Sequence, residues 1–178
     1  MLQELLEDPV LPVREAVALT YEKLSVNDDG CTRIVTSKCA ECMIESFITH
    51  SKDEGSLKRD DGQYLIYLLE AFANLTFSDQ GIEPLLGKSA VATLNNIISQ
   101  AYVEEIMLPN HKQKIRELSL RVLGNISINP HGKQECIDTK VVLNAWKYLD
   151  SDNYQERLNA SLVLLSCTIH LDGKKQAA

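Results

Sequence analysis

Residues 24–30 read L-S-V-N-D-D-G, and three later stretches of the chain repeat the same pattern. They are L-T-F-S-D-Q-G at residues 75–81, I-S-I-N-P-H-G at residues 126–132 and C-T-I-H-L-D-G at residues 167–173. Each phrase has an apolar residue, Ser or Thr, a β-branched or aromatic residue, a polar residue, two variable positions and Gly. Such repetition is the sequence signature of an architecture built from stacked units.

Each phrase is predicted to end one unit of the stack. The apolar pair, such as Leu24 and Val26, would close the buried side of a helix, and the polar residue with its Gly would stop that helix. Gly suits a stop because it adopts positive φ without a Cβ clash. The glycines at 30, 81, 132 and 173 are 51, 51 and 41 residues apart. The shortest interval fits a solenoid unit of two or three helices, and the longer intervals leave room for about ten inserted residues.

Composition supports one helical domain and a protein partner. The 178 residues are 44% hydrophobic and only 6% aromatic, which suits helices packed on helices. No apolar run is long enough for a membrane span and no signal sequence follows Met1, so we expect a soluble protein that is not exported. A net charge of −7 disfavours binding to nucleic acid and to anionic membranes, since both depend on Lys and Arg.

Apolar residues recur at helical spacing in the segments that lead into the phrases. This spacing predicts long helices at residues 13–26, 62–77, 112–128 and 153–169. Shorter helices are predicted at residues 38–50, 90–103 and 141–149. Ser89 is a predicted N-cap, and His170, which stands where the other phrases have Asn27, Ser78 and Asn129, is given a capping role. Residues 51–61 and 104–111 are predicted insertions; the first is either a regulated docking loop or a tolerated surface loop.

The domain organisation follows from the positions of the phrases. We expect a single repeat domain with units at about residues 1–30, 31–81, 82–132 and 133–173, and the start of a further unit at 174–178. Both ends then fall inside a unit. Because each unit buries its apolar face only against its neighbours, we expect the ends to contact further repeats or another subunit.

The long helices resemble the third helix of armadillo repeats. The likeness lies in Arg14, Arg116 and Arg157 at one register position, where the second unit has Leu65, and in A-N-L-T at residues 73–76 and G-N-I-S at residues 124–127. It implies an all-α fold, a right-handed α-solenoid of about four armadillo-like repeats that is incomplete at both ends.

The resemblance also implies which residues bind a partner. In that family an Asn on the concave face binds the backbone of an extended peptide, and Asn74 and Asn125 match it, while Lys23 and Ser166 replace it in the outer units. One turn earlier, nuclear-import members carry Trp; this chain does not. The predicted concave-face residues are Leu19, Lys23, Tyr67, Glu70, Asn74, Leu118, Arg121, Asn125, Asn159, Leu162 and Ser166, with Ala16 beside them.

These features predict a non-enzymatic protein–protein interaction scaffold, with Leu19 and Leu118 as apolar anchors. Replacing Asn74 and Asn125 together with alanine is then expected to weaken binding without unfolding the chain. Residues 6–18 and 158–174 further resemble armadillo proteins of the radial spokes of motile cilia, which implies a structural role in the axoneme. The alternative is a transport or signalling adaptor that binds extended peptides in its concave groove.

No catalytic motif, cofactor-binding loop or metal-ligand pattern stands out in the sequence. Cys39 and Cys42 form a lone C-x-x-C, which is interpreted as small buried hydrophobic residues in a reduced compartment rather than as redox or metal chemistry. Three N-x-S/T acceptors, at Asn74, Asn125 and Asn159, fall in predicted helices and are interpreted as products of the repeat. No enzyme activity, cofactor or metal is therefore expected.

Overall fold

The computed structural model describes residues 2–52, 61–87, 89–99 and 109–177, and every regular element in these ranges is helical. The α-helices are α1 Leu11–Leu24, α2 Asp28–Thr36, α3 Cys39–Lys52, α4 Gly62–Leu75, α5 Asp79–Ile82, α6 Ala90–Ile98, α7 Pro109–Ile128, α8 Pro130–Asp138, α9 Val141–Ala145, α10 Tyr154–Cys167 and α11 Leu171–Ala177. Short 3-10 turns occur at Glu4–Glu7, Glu83–Leu85 and Trp146–Tyr148. Most of both predicted insertions, and the last residues of the helix predicted at 90–103, lie outside the described ranges.

The helices form a right-handed α-solenoid, as the sequence predicts. The long helices α1, α4, α7 and α10 pack side by side in chain order and make one layer of the stack. Helices α3, α6 and α9 pack behind them as a second layer, each against the long helix that follows it. None of the helices in the described ranges is long and apolar enough to cross a membrane.

An apolar core runs continuously between the two layers. Phe47 of α3 meets Phe72 of α4 edge to face, with ring centroids 5.5 Å apart. The long helices bury Leu68, Leu118 and Val163 against their neighbours. Because each layer buries its apolar residues only against the next, the core has no single centre and extends along the stack.

The four phrase glycines begin helices rather than ending them, so the predicted C-terminal stop is wrong. Positive φ among the described glycines occurs only at Gly87. The polar residue before each of the first three phrase glycines is instead the N-cap of the next helix. The side chains of Asn27, Ser78 and Asn129 accept hydrogen bonds from the glycine N–H three residues on, at 2.8, 3.2 and 3.3 Å. In the fourth phrase, the His170 ring accepts a 3.4 Å bond from the Asp172 amide.

Crowding explains why glycine recurs at these positions. A Cβ on Gly30, Gly81, Gly132 or Gly173 would lie 1.8, 2.0, 2.3 or 2.1 Å from the carbonyl oxygen six residues earlier, at the end of the preceding long helix. Two non-bonded heavy atoms cannot come this close to each other. The glycine therefore lets the first turn of the short helix that contains it pack directly on the end of the preceding long helix.

The sharp corners with positive φ lie elsewhere, at Lys38, Ser89 and Lys140, whose φ angles are 59°, 65° and 61°. Each corner precedes a helix of the second layer, and consecutive corners are 51 residues apart. Ser89 is the N-cap residue of α6, as predicted, but its side chain forms no capping hydrogen bond. The left-handed backbone of Ser89, rather than its hydroxyl, makes the turn.

Two ion pairs with buried carboxylates join neighbouring long helices. Arg14 of α1 contacts Asp61, just before α4, at 3.0 Å, and its guanidinium also donates to the Asp8 carbonyl at 2.7 Å. Arg116 of α7 contacts Glu156 of α10 at 3.2 Å. Asp61 and Glu156 are each 2% exposed, so both carboxylates depend on their arginine partners for compensation.

Candidate binding face

Two rows of predicted residues cross the stack on one face of the long helices. The first row is Leu19, Glu70, Arg121 and Leu162, and the second is Lys23, Asn74, Asn125 and Ser166. Within each unit the two rows are four residues apart, which places them one above the other on the same side of a helix. Because α1, α4, α7 and α10 lie side by side, the rows run along the stack.

A third row, not predicted from the sequence, consists of exposed apolar side chains where the long helices end. We call Val26, Phe77, Ile128 and Ile169 the apolar ladder; they are 66%, 71%, 61% and 71% exposed. They occupy the third position of the four phrases. The prediction that Leu24 and Val26 close the buried side of a helix is therefore wrong: α1, α4 and α10 end two residues earlier than expected, which leaves the ladder residue outside the helix.

Two pockets flank Phe77 and connect the ladder to the second row. The smaller, of about 160 Å³, lies between Phe77, Asn74 and the α2 residues Asp28, Cys31 and Val35. The larger, of about 550 Å³, is lined by residues of the second and third phrases and of α5, α7 and α10, namely Thr76, Phe77, Ser78, Asp79, Ile82, Asn125, Ile128, Asn129, Pro130 and Leu162. Phe77 thus stands between two recesses that each open beside a neighbouring unit.

The face carries both signs of charge. Lys114 contacts Glu117 at 3.1 Å and Glu70 at 3.8 Å, and the Arg121 guanidinium stacks over the Phe77 ring at 5.5 Å from its centroid. Lys23 is exposed and contacts Glu22 at 2.8 Å; that hydrogen bond raises the pKa of Lys23. The face therefore presents separate acidic and basic side chains to a partner rather than a surface of one charge.

Leu118 does not belong to this face, so its prediction as an apolar anchor is wrong. It is 1% exposed and packs in the core. Of the other predicted residues, Leu19, Tyr67, Glu70, Arg121 and Leu162 are half-buried and Lys23 is exposed.

The asparagines link units to one another. Asn125 Nδ2 donates to the Ala73 carbonyl at 3.2 Å and to Thr76 Oγ1 at 3.0 Å, both in the preceding unit. Asn159 Nδ2 donates to the Glu117 carbonyl at 3.1 Å. Both are 8% exposed, and so is Ser166. The Asn125 amide, which the family resemblance assigns to a peptide, therefore donates through its nitrogen to the neighbouring helix instead.

This geometry changes the expected effect of removing Asn125. We expect Asn125→Ala to destabilise the chain by about 2 kcal/mol, because it leaves buried acceptors without their donor. The matched control is Asn74→Ala: Asn74 is half-buried and makes one bond to Ser25 Oγ at 3.1 Å, so its loss should be below about 1 kcal/mol. Urea unfolding of the two variants measures the difference, and equal losses would contradict a structural role for Asn125.

All five cysteines are thiols and none forms a disulfide. Cys136 and Cys167 are buried, while Cys31, Cys39 and Cys42 are half-buried. Among the described residues, no group of three His, Cys, Asp or Glu side chains could hold a metal ion.

No protein-family model and no curated protein sequence matches this chain. Solved structures do match it over 99% of its length. An engineered protein aligns with a TM-score of 0.77 at 18% identity, and a designed armadillo repeat protein aligns with a TM-score of 0.76 at 13% identity. The chain has the armadillo-repeat fold.

Another designed armadillo repeat protein with this fold, solved in complex with the peptide (KR)4, has a TM-score of 0.76 at 12% identity. The chain covers 99% of its own length in these alignments but only 66%, 67% and 67% of the three structures. It therefore spans about two thirds of the length of these three structures.

Proposed function

We propose that this chain is a non-enzymatic scaffold that binds a protein partner along the apolar ladder and the groove beside it. One observation carries the proposal: the same phrase position in four successive units holds an apolar side chain that is between 61% and 71% exposed. A row of large exposed apolar groups is unfavourable in water and usually marks an interaction surface. Each phrase thus contains both the glycine at the junction of two helices and the exposed apolar residue that would contact a partner.

The pockets and charges beside the ladder support a specific protein ligand. Apolar side chains of a partner would fill the recesses on either side of Phe77, and Glu70, Arg121 and Lys23 would fix its register through ion pairs. The armadillo-fold structure solved with (KR)4 shows that this fold accommodates a peptide in that designed protein. The net charge of −7 favours a protein over nucleic acid as the partner.

For the cellular role we propose a structural component of the radial spoke of motile cilia, placed in the cytoplasm at the axoneme. The support is the resemblance of residues 6–18 and 158–174 to armadillo proteins of that assembly. A transport or signalling adaptor is the second candidate. It would hold an extended peptide reversibly in the same groove, where Asn74 presents its amide in part to solvent.

Site-specific photo-cross-linking tests the proposal. Benzoylphenylalanine placed at Phe77 or at Ile128 should cross-link to the same protein in cells, because both positions line the larger pocket. The matched control is Leu143, which is 47% exposed but lies on α9 in the second layer. Axonemal proteins recovered from ciliated cells would support the spoke role, and transient cargo would support the adaptor. Cross-linking at Leu143 equal to that at Phe77 would contradict both.

A further inference from the structure

A third pocket lies at the junction of the first and second units and shares no residue with the two beside Phe77. It has a volume of about 310 Å³. Its wall is mostly apolar and is formed by Leu2, Gln3, Tyr21, Leu24, Gly30, Arg33, Ile34, Ser37 and Cys39. Cys39, which carries a nucleophilic sulfur, is one of the residues that line this apolar pocket.

The surroundings of Cys39 favour its thiolate form. Cys39 is the first residue of α3, where the helix dipole and the free backbone N–H groups stabilise negative charge. Gln3 Nε2 donates to the sulfur at 3.1 Å, and the Ser37 hydroxyl oxygen lies 3.0 Å from it. Burial alone would raise the pKa of Cys39, but the polar groups around the sulfur, Ser37 foremost, outweigh burial and lower it.

Tyr21 supplies a second polar group on the same wall. Its side chain is 2% exposed, and its hydroxyl lies beside the Cys39 sulfur without an aligned hydrogen-bond partner. Burial raises the pKa of Tyr21, so the phenol keeps its proton. A buried hydroxyl without a partner is unfavourable, and a ligand oxygen in the pocket would provide the missing acceptor.

We propose that Cys39 is a site of covalent modification by α,β-unsaturated carbonyl compounds that carry an apolar chain. The thiolate sulfur forms a bond to the β-carbon, and the electrons of the carbon–carbon double bond move to the α-carbon and carbonyl oxygen. The Tyr21 hydroxyl donates a hydrogen bond to that oxygen as it becomes negative. The α-carbon then takes a proton from water, which replaces the proton that the thiol lost to solvent, and the product is a thioether. No oxidant or reductant is needed.

Cys31 provides a matched control in the same unit. It is also half-buried, but its thiol donates a hydrogen bond to the Ser25 carbonyl at 3.1 Å, which holds the proton on sulfur. Burial and the nearby Asp28 raise the pKa of Cys31. The two thiols therefore have similar exposure but different hydrogen bonds: the Cys39 sulfur accepts one from Gln3, whereas the Cys31 thiol donates one to the Ser25 carbonyl.

Peptide mass spectrometry of the purified chain treated with trans-2-hexenal tests this site. We expect the Cys39 adduct to form roughly tenfold faster than the Cys31 adduct, since the reactive species is the thiolate. Unfolding the chain in urea should bring the two rates together. Equal rates in the folded chain would overturn the proposal, and so would selective conversion of Cys39 to a disulfide with Cys42 by peroxide without an enal adduct.

Tyr21→Phe separates participation of the phenol from simple packing. The variant should slow the hexenal reaction at Cys39 several-fold, because no donor meets the developing oxyanion. Alkylation by iodoacetamide forms no such oxyanion, so its rate at Cys39 should stay at the wild-type value. If the two reagents slow equally, the assigned role of Tyr21 is wrong. These readouts need no protein partner, so they are independent of the proposed scaffold function.

Discussion

Replacing Gly81 with alanine is expected to destabilise the chain by about 3 kcal/mol, near the upper end of what overpacking a well-packed site costs. The new methyl carbon would lie 2.0 Å from the Leu75 carbonyl oxygen and 2.6 Å from its carbon. Both are backbone atoms at the end of α4, so no side-chain rotation can relieve the contact. The joint between α4 and α5 must open instead. Equilibrium urea unfolding followed by circular dichroism measures the loss.

Gly87→Ala is the matched control for this substitution. Gly87 has φ of +72°, but an added Cβ would meet nothing within 4 Å. Its expected loss is the backbone strain alone, about 1 kcal/mol. If Gly81→Ala lost no more stability than Gly87→Ala, glycine would not be required at the joint by crowding.

Asp61→Asn is expected to cost about 3 kcal/mol, because it leaves the buried Arg14 guanidinium without a compensating charge. Arg14 is 8% exposed, and its Nη2 contacts the Asp61 carboxylate at 3.0 Å. The asparagine can still accept a hydrogen bond, so most of the loss reports the missing charge rather than missing volume. Thermal and urea unfolding of the variant measure it.

The exposed pair Asp29–Arg33 offers a control with similar geometry. Its atoms are 3.2 Å apart, yet both side chains are more than three-quarters exposed, at 78% and 79%. Asp29→Asn should therefore change the free energy of unfolding by less than about 0.5 kcal/mol. Comparable losses in the two variants would show that burial of Arg14 does not set the strength of its pair.

Sequence periodicity is sufficient to predict the helical stack, because the phrase repeats and the long helices bury apolar residues at regular spacing. It is not sufficient to assign the role of the phrase glycines. A polar residue followed by Gly at a helix junction fits both a C-terminal stop and the first turn of the next helix. The two are distinguished only by the three-dimensional packing, in which a Cβ on Gly30 would lie 1.8 Å from the carbonyl oxygen of Leu24.

The binding face could be predicted only in part. The 51-residue repeat places Leu19, Glu70 and Arg121 at equivalent positions of α1, α4 and α7, so these residues form one row. The assignment of Leu118 to the face is wrong, since helical spacing alone does not say which flank meets the neighbouring helix. The sequence also fails to predict the apolar ladder, which is exposed where apolar residues are expected to be buried. Its apolar residues follow a buried helix, where apolarity suggests burial, although Phe77 is 71% exposed.

The double variant Phe77→Ser with Ile128→Ser tests the central claim most directly, in a binding titration against the partner segment that cross-linking identifies. Both side chains are more than half exposed, so the fold should survive and the melting temperature should stay near that of the wild type. The predicted result is a loss of affinity of at least about tenfold, as expected when central apolar anchors are removed. Leu143→Ser with Trp146→Ser, on exposed residues of the second layer, should bind as the wild type does. Wild-type affinity in the ladder variant would contradict the account.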